Sequence, residues 1–385
     1  MKVALVANTG WYLHNFRRGL IRQLQRDNHE VVVICPWDQY VENLRELGVR
    51  WISWNINRRG MNPFSDLQMT RKLAKIYRQE RPDVVHHFTV KCVLYGTLAA
   101  RLTGVAGVVN AITGLGHLAI SNRFRTRFLR PFMMRWWAWS LGGPNVRAMF
   151  QNKDDLAYLA RYGTKLVANA TVVGGSGVDL ERFSPPLTNA DCSQPTTVLF
   201  AGRLIQEKGI REFVTAATQV RQSLPDVRFV VCGRVDPGNP SSICEDELNA
   251  WKQQCEIDFV GHVERLEDRI RAADVVVLPS YREGTPRILL EAAACAKPVI
   301  ASDVPGCREA VDDRETGYLV PSRNVTALVK AILDLLGDRD LCAELGQAGR
   351  ARMEALFDEG EVVRQTLDTY HQLLGTKSVS TAGAD

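Results

Sequence analysis

Twice along the chain, short apolar runs alternate with helical patterns, and this alternation fixes the fold class before any single motif is considered. Residues 3–7, 30–35, 83–88, 105–111, 148–151 and 170–173 read as strands, with helical patterns at 14–25, 66–79 and 154–162 between them. Strands that are apolar throughout need cover on both faces, which a parallel sheet with helices on each side provides. A stretch rich in Pro, Ser, Asn and Asp, 184–195, breaks the pattern. The pattern then restarts with strands at 197–201, 227–232, 258–260, 274–278, 298–301 and 318–320. Helices are expected at 210–224, 325–336, 340–356 and 361–374. The expectation is an α/β chain with two doubly wound parallel-sheet domains, 1–185 and 197–360, joined by a linker, 186–196. Helix 361–375 is expected to cross back to the first domain, and 376–385 to form a disordered tail. Ligands of such sheets bind beyond the carboxyl ends of the strands, so the two domains are expected to face a cleft.

Charge divides the chain along the same line. Residues 1–185 hold 26 Lys and Arg against 12 Asp and Glu, whereas the remainder holds 22 against 31. Between Asp83 and Asp154 there is no acidic residue at all. Two halves of opposite sign face different partners. The nine cysteines form no Cys-x-x-Cys pair and accompany no histidine cluster, which argues against zinc and against a disulfide framework. No apolar run approaches the roughly 20 residues of a spanning helix, and residues 3–7 are too few for a signal sequence. A cytoplasmic protein, or one held peripherally on the inner face of the membrane, is expected.

The densest motif is Glu283-Gly284-Thr285-Pro286-Arg287-Ile288-Leu289-Leu290-Glu291. It follows an apolar strand, and Thr285 as N-cap with Pro286 at the first helical position predicts a helix start. Glu283 then stands before the helix mouth, and Glu291 shares a face with Arg287 and Ile288. A helix mouth attracts anions, so the two carboxylates can grip hydroxyl-bearing rings on either side of a bound diphosphate. A nucleotide-sugar has that layout. The bland alternative is a capped surface helix. Upstream, Gly202-Arg203 and Lys208-Gly209 lie between a strand and a helix, where Arg203 and Lys208 suit phosphate oxygens or simply a solvated loop.

The first half speaks less clearly. Gly10 ends the first apolar run and permits close approach of a ligand, or makes a plain turn. Thr113-Gly114-Leu115-Gly116-His117 follows another strand and reads as a mobile loop at an active site or as a loop without a role. His86 and His87 are adjacent on a strand and so point to opposite faces. The stretch from Arg123 to Trp139 is basic, aromatic and acid-free, including Arg125, Arg127, Arg130 and Arg135. It suits an anionic membrane surface, or a helix packing its aromatics on a sheet; no nucleic-acid module accompanies it.

With these residues in hand, the chain resembles the retaining glycosyltransferases of family 4, which have two Rossmann-like domains in the GT-B architecture, in the branch serving bacterial polysaccharide, lipopolysaccharide or lipid-linked glycan assembly. The resemblance rests on Gly202-Arg203 with Lys208-Gly209, the Glu283–Glu291 segment, residues 303–309, Gly114-Leu115-Gly116 and 175–179. It implies a catalytic set of Glu283, Arg203 and Lys208, with Gly10, Gly284, Thr285, Arg287, Ile288 and Glu291 also on the donor. Arg203 and Lys208 would hold the diphosphate, Glu291 the ribose and Glu283 the transferred sugar. Thr113, His117, Arg123 and Arg127 are candidates for the acceptor. Relatives often carry a histidine just after the strand that ends near Ala111; Ile112 and Thr113 stand there in this chain. The resemblance further implies a UDP-sugar donor, a polyprenyl-diphosphate-linked glycan acceptor, retention of configuration, and no metal or other cofactor. A nucleotide-sugar epimerase of similar fold and a non-catalytic membrane scaffold are the competing readings.

Overall fold

The computed structural model describes residues 1–56, 63–115, 124–163, 168–186 and 195–375, with the backbone alone for 63 and 124–130. They form two compact units: Met1–Ser176 with Gly360–Asp385, and Gly177–Glu359.

In the first unit β1 (Lys2–Val6), β2 (Glu30–Cys35), β3 (Arg50–Ser53), β4 (Val84–Phe88), β5 (Gly107–Ile112), β6 (Val146–Phe150) and β7 (Ala170–Val172) make one sheet. Its order is β3-β2-β1-β4-β5-β6-β7, and every pairing is parallel. Alternate residues of each strand feed separate cores: Val3 and Leu5 pack with the helix Gly10–Arg26 side, Ala4 and Val6 with Leu73 and Tyr77 of helix Pro63–Glu80. Helix Glu359–Leu374 adds Val363 and Tyr370 to the first of these cores.

The second unit repeats the plan with β8 (Thr197–Ala201), β9 (Arg228–Cys232), β10 (Ile257–Gly261), β11 (Val275–Leu278), β12 (Val299–Ser302) and β13 (Gly317–Val320). The order is β10-β9-β8-β11-β12-β13, again all parallel. In both sheets the order reverses beside the first strand, between β1 and β4 and between β8 and β11. Loops leaving those two strands diverge to opposite faces and open a crevice at their carboxyl ends.

The division between units falls before the Pro- and Ser-rich stretch in which the sequence places it. Val178 and Phe183 are buried in the second core. Val178 N–H donates to Phe357 O at 2.8 Å, and its carbonyl accepts from Glu359 N–H at 3.1 Å, so residues 177–183 fold as part of the second unit. The tail expected at 376–385 lies outside the described residues.

Candidate active site

Three loops converge at the carboxyl end of the second sheet, beside its order reversal. The loop after β8 is laced to the β9 side by Gly202 N–H to Cys232 O at 2.9 Å and Leu204 N–H to Arg234 O at 2.9 Å. The loop after β11 joins it through Tyr281 N–H to Glu207 O at 2.8 Å, and joins the loop after β12 through Glu283 N–H to Pro305 O at 3.3 Å. Two glycines make this closeness possible. A Cβ on Gly209 would lie 2.0 Å from Pro279 O, and one on Gly306 would lie 2.1 Å from Gly284 O. Both also have positive φ, 72° and 84°, which side chains rarely adopt.

On this frame the sequence-selected residues are brought together in pairs. Lys208 Nζ donates to Glu283 Oε1 at 2.6 Å, with both side chains largely buried. Arg287 Nε donates to Glu291 Oε1 at 3.0 Å, one helical turn apart, and Glu291 is buried. Arg203 stands apart from these pairs, with its side chain 60% exposed and Nη1 donating to Asp236 Oδ2 at 2.9 Å. Ile288 is buried in the core beneath the helix, which places it as support for the segment. Behind the loops, burial and the neighbouring Glu212 carboxylate push the Tyr281 phenol up to about 12, and its hydroxyl donates to that carboxylate at 2.7 Å. The Cys307 thiol is also pushed up, chiefly by burial, so it is an inert core group.

The helix begins one residue later than expected. Its span is Arg287–Ala294, with Pro286 at the N-cap in extended conformation and Leu289 N–H bonded to Pro286 O at 3.1 Å. Thr285 is therefore in the turn, because Glu283 and Gly284 are held against Pro305 and Gly306 and the chain is free to coil only afterwards.

Gly10 is also placed differently. It is the first residue of helix Gly10–Arg26, capped by Thr9, whose hydroxyl accepts from Tyr12 N–H at 3.1 Å. The close approach it permits is to Asp38, whose Oδ1 would lie 2.6 Å from an added Cβ and whose Oδ2 accepts from Trp11 N–H at 3.0 Å. A carboxylate of the same unit thus sits at this helix mouth, close against Gly10.

Of the residues expected at the acceptor, Thr113 follows β5 and is half-buried, and nearby Leu115 N–H donates to the buried Asp155 carboxylate at 3.2 Å. His117 and Arg123 lie outside the described residues, and Arg127 is described by its backbone on helix Phe124–Ser140. Neither adjacent histidine reaches a surface. His86 Nδ1 is bonded to Tyr370 Oη at 2.6 Å, while His87 donates from Nδ1 to Asn110 Oδ1 at 2.8 Å and accepts from Tyr77. Sequence reasoning missed Asp236, which sits in Asp236-Pro237-Gly238, a turn signal at the end of a strand. Among the described residues, no group of three or more His, Cys, Asp or Glu could hold a metal ion, and no helix is long and apolar enough to cross a membrane.

Comparison with known proteins accounts for both units. A family model described as glycosyl transferase 4-like matches residues 2–142, and one described as glycosyl transferases group 1 matches 190–352. The chain is 28% identical over 385 residues to the N,N'-diacetylbacillosaminyl-diphospho-undecaprenol alpha-1,3-N-acetylgalactosaminyltransferase of Campylobacter jejuni, covering 97% of this chain and 99% of that protein. It is 24% identical to the Escherichia coli UDP-Gal:alpha-D-GlcNAc-diphosphoundecaprenol alpha-1,3-galactosyltransferase, over 74% of each. Among solved structures, sucrose-phosphate synthase from Thermosynechococcus elongatus shares the fold with a TM-score of 0.78 at 22% identity, covering 97% of this chain and 99% of that one. Anabaena HepE in complex with UDP-glucose gives 0.78 at 17% identity, covering 97% and 100%. With a glycosyltransferase model on each sheet, and homologues that are glycosyltransferases of lipid-linked glycans, one of them matched over its full length, the chain belongs to the GT-B glycosyltransferases of the family 4 type.

Proposed function

We propose that the protein moves a hexose or N-acetylhexosamine from a nucleotide-sugar, in the first instance a UDP-sugar, to a polyprenyl-diphosphate-linked glycan, with retention of configuration and without a metal. The observation that carries this reading is the pairing of Lys208 with Glu283 and of Arg287 with Glu291 at the order reversal of the second sheet, with Arg203 on the same loop as Lys208. An ammonium has three N–H donors. Lys208 spends one on Glu283, and the pair therefore aims the cation while leaving donors for phosphate oxygens. Arg203, exposed and planar, adds a fork suited to a second phosphate oxygen. As the sugar–phosphate bond breaks, negative charge grows on the diphosphate, and these fixed positive groups stabilise it without reorganising. The departing phosphate then lies on the face from which the acceptor hydroxyl attacks and can take its proton, which gives retention. Glu283 orients the sugar and Glu291 the ribose.

The names of the two relatives, both acting on diphospho-undecaprenol glycans, support the acceptor class. A peripheral position at the inner face of the cytoplasmic membrane is supported by the surface of the first unit. There Phe132, Trp136 and Trp139 are exposed at helical spacing on helix Phe124–Ser140, with exposed Arg135 among them. No observation favours the epimerase or scaffold readings.

The test is turnover with a panel of UDP- and GDP-sugars and a prenyl-diphosphate-linked sugar, in excess chelator, with the new linkage read by NMR. Full turnover with the donor's anomeric configuration kept is expected. Activity that vanishes in chelator and returns with magnesium or manganese sinks metal independence. An inverted product sinks the mechanism, and absence of transfer from every donor sinks the function.

A further inference from the structure

Six charged residues are buried among the described residues, and five of them have their charge met. Asp66 faces Lys91, Glu80 faces Lys2 and Arg50, Glu267 faces Arg182, Glu291 faces Arg287, and Asp155 accepts from the N–H groups of Leu115 and Asn152. Arg17 is the exception. It is 6% exposed, and no described carboxylate lies within ion-pair distance. Its guanidinium lies 4.6 Å from the Phe88 ring centroid, and Nη2 donates to the Tyr12 hydroxyl at 3.1 Å. Nε is buried without a partner, whereas Nη1 has no hydrogen bond and is not among the buried atoms, so Nη1 is the edge that meets solvent. A buried cation without a counter-charge is costly, and a chain that keeps one has a use for it.

The position says what the use is. Arg17 belongs to the helix that follows β1, and Phe88 is the last residue of β4, so their contact spans the order reversal of the first sheet, where ligands of this fold bind. The neighbouring strand and helix cannot supply a carboxylate, because they lie inside the acid-free stretch between Asp83 and Asp154. Two independent features mark the same point. Thr89, next along the chain, has φ 73° and ψ 154°, a strained conformation for a β-branched residue that gathers at binding sites. His86, whose ring centroid is 4.1 Å from that of Phe88, keeps Nε2 buried without a partner while Tyr370 holds Nδ1.

We propose that Arg17 anchors a phosphate oxyanion in the first unit, namely the diphosphate of the lipid-linked acceptor, an assignment that rests on the proposed acceptor class. A diphosphate could also come from the donor, and the kinetics separate the two sources. The full-length protein and its Arg17→Gln variant are assayed with a prenyl-diphosphate-linked sugar and with the same sugar on an uncharged alkyl chain, each at varied UDP-sugar. The wild type is expected to prefer the diphosphate acceptor. In Arg17→Gln the acceptor KM rises on the order of 30-fold, as for the loss of a charge-assisted contact, and the preference disappears. Donor KM and the rise in Tm caused by UDP stay as in the wild type. A preference retained by the variant overturns the assignment to Arg17 alone. A rise in donor KM instead of acceptor KM overturns it in favour of the donor's diphosphate. A wild type indifferent to the diphosphate overturns the acceptor reading along with it. Should Arg17→Gln fail to fold, Arg17→Lys decides: it keeps a charge but not the fork, so a reduced preference supports the anchor and an unchanged one refutes it.

Discussion

Lys208 and Glu283 are both legible from their motifs, but their direct pairing is not, since 75 residues separate them and only the packing of two loops brings them within 2.6 Å. The pairing sharpens the expected mutants. Lys208→Ala removes the leaving-group cation and also strands a largely buried carboxylate. We expect turnover to fall at least about 100-fold, with a stability loss of about 1–3 kcal/mol. Glu283→Gln keeps the size and an acceptor for Lys208 but removes its counter-charge, so a stability loss of about 1–3 kcal/mol is expected while turnover falls to a similar degree. Turnover near the wild-type value in either variant would remove the site from the mechanism. Gly306→Ala makes a different prediction, because its Cβ would collide with Gly284 O at 2.1 Å. The collision displaces the turn that holds Glu283, so a loss of about 1–3 kcal/mol and a higher donor KM are expected, measured by urea unfolding and kinetics. The glycine's role is invisible in sequence, as is the seating of Asp38 against Gly10, because each depends on a backbone approach from elsewhere.

At the scale of elements, boundaries follow the apolar runs closely: 30–35, 197–201 and 325–336 stand as the sequence predicts. β3, Arg50–Ser53, escapes sequence reading because an edge strand pairs on one side only and needs no continuous apolar run; its four residues are half-buried or exposed. The stretch from Arg123 to Trp139 offers two readings, and where side chains are described the packed helix stands, with an exposed aromatic face opposite its buried one. Met134, Trp137 and Ala138 are buried in the core, while Phe132, Trp136 and Trp139 are exposed opposite them. Of ten exposed large hydrophobics among the described residues, eight are in the first unit, and this supports the proposal that the membrane is met by that unit. Replacing Phe132, Trp136 and Trp139 by Ser should abolish co-sedimentation with anionic phospholipid vesicles while leaving UDP-induced stabilisation unchanged. Equal vesicle binding by the triple variant would refute this face as the membrane contact.

Across the whole molecule, the C-terminal helix is tied into the first unit by the His86–Tyr370 hydrogen bond between positions 284 residues apart. Tyr370→Phe leaves His86 Nδ1 buried without a partner and should cost about 1–3 kcal/mol. Burial also holds His86 well below its ordinary value and His87 at about 4, against 6.5 for a free imidazole. The unfolded chain therefore takes up protons that the folded chain refuses. Stability contributed by these groups is complete above pH 6.5 and is lost as pH falls from there toward 4, by up to about 1.4 kcal/mol per pH unit for each histidine. Urea midpoints should be level between pH 7 and 8 and fall between pH 6.5 and 5; a level profile down to pH 5 would contradict it. By itself the sequence determined the two parallel sheets, the Glu283–Glu291 and Arg203–Lys208 motifs and the basic half, because periodicity, turn residues and charge are local properties. Only the tertiary structure decided that Val178 and Phe183 join the second unit, which pairs the site charges enter, and that Arg17 is buried with no carboxylate partner among the described residues. Those outcomes depend on which distant groups the sheet order brings to one edge, and no local pattern records that.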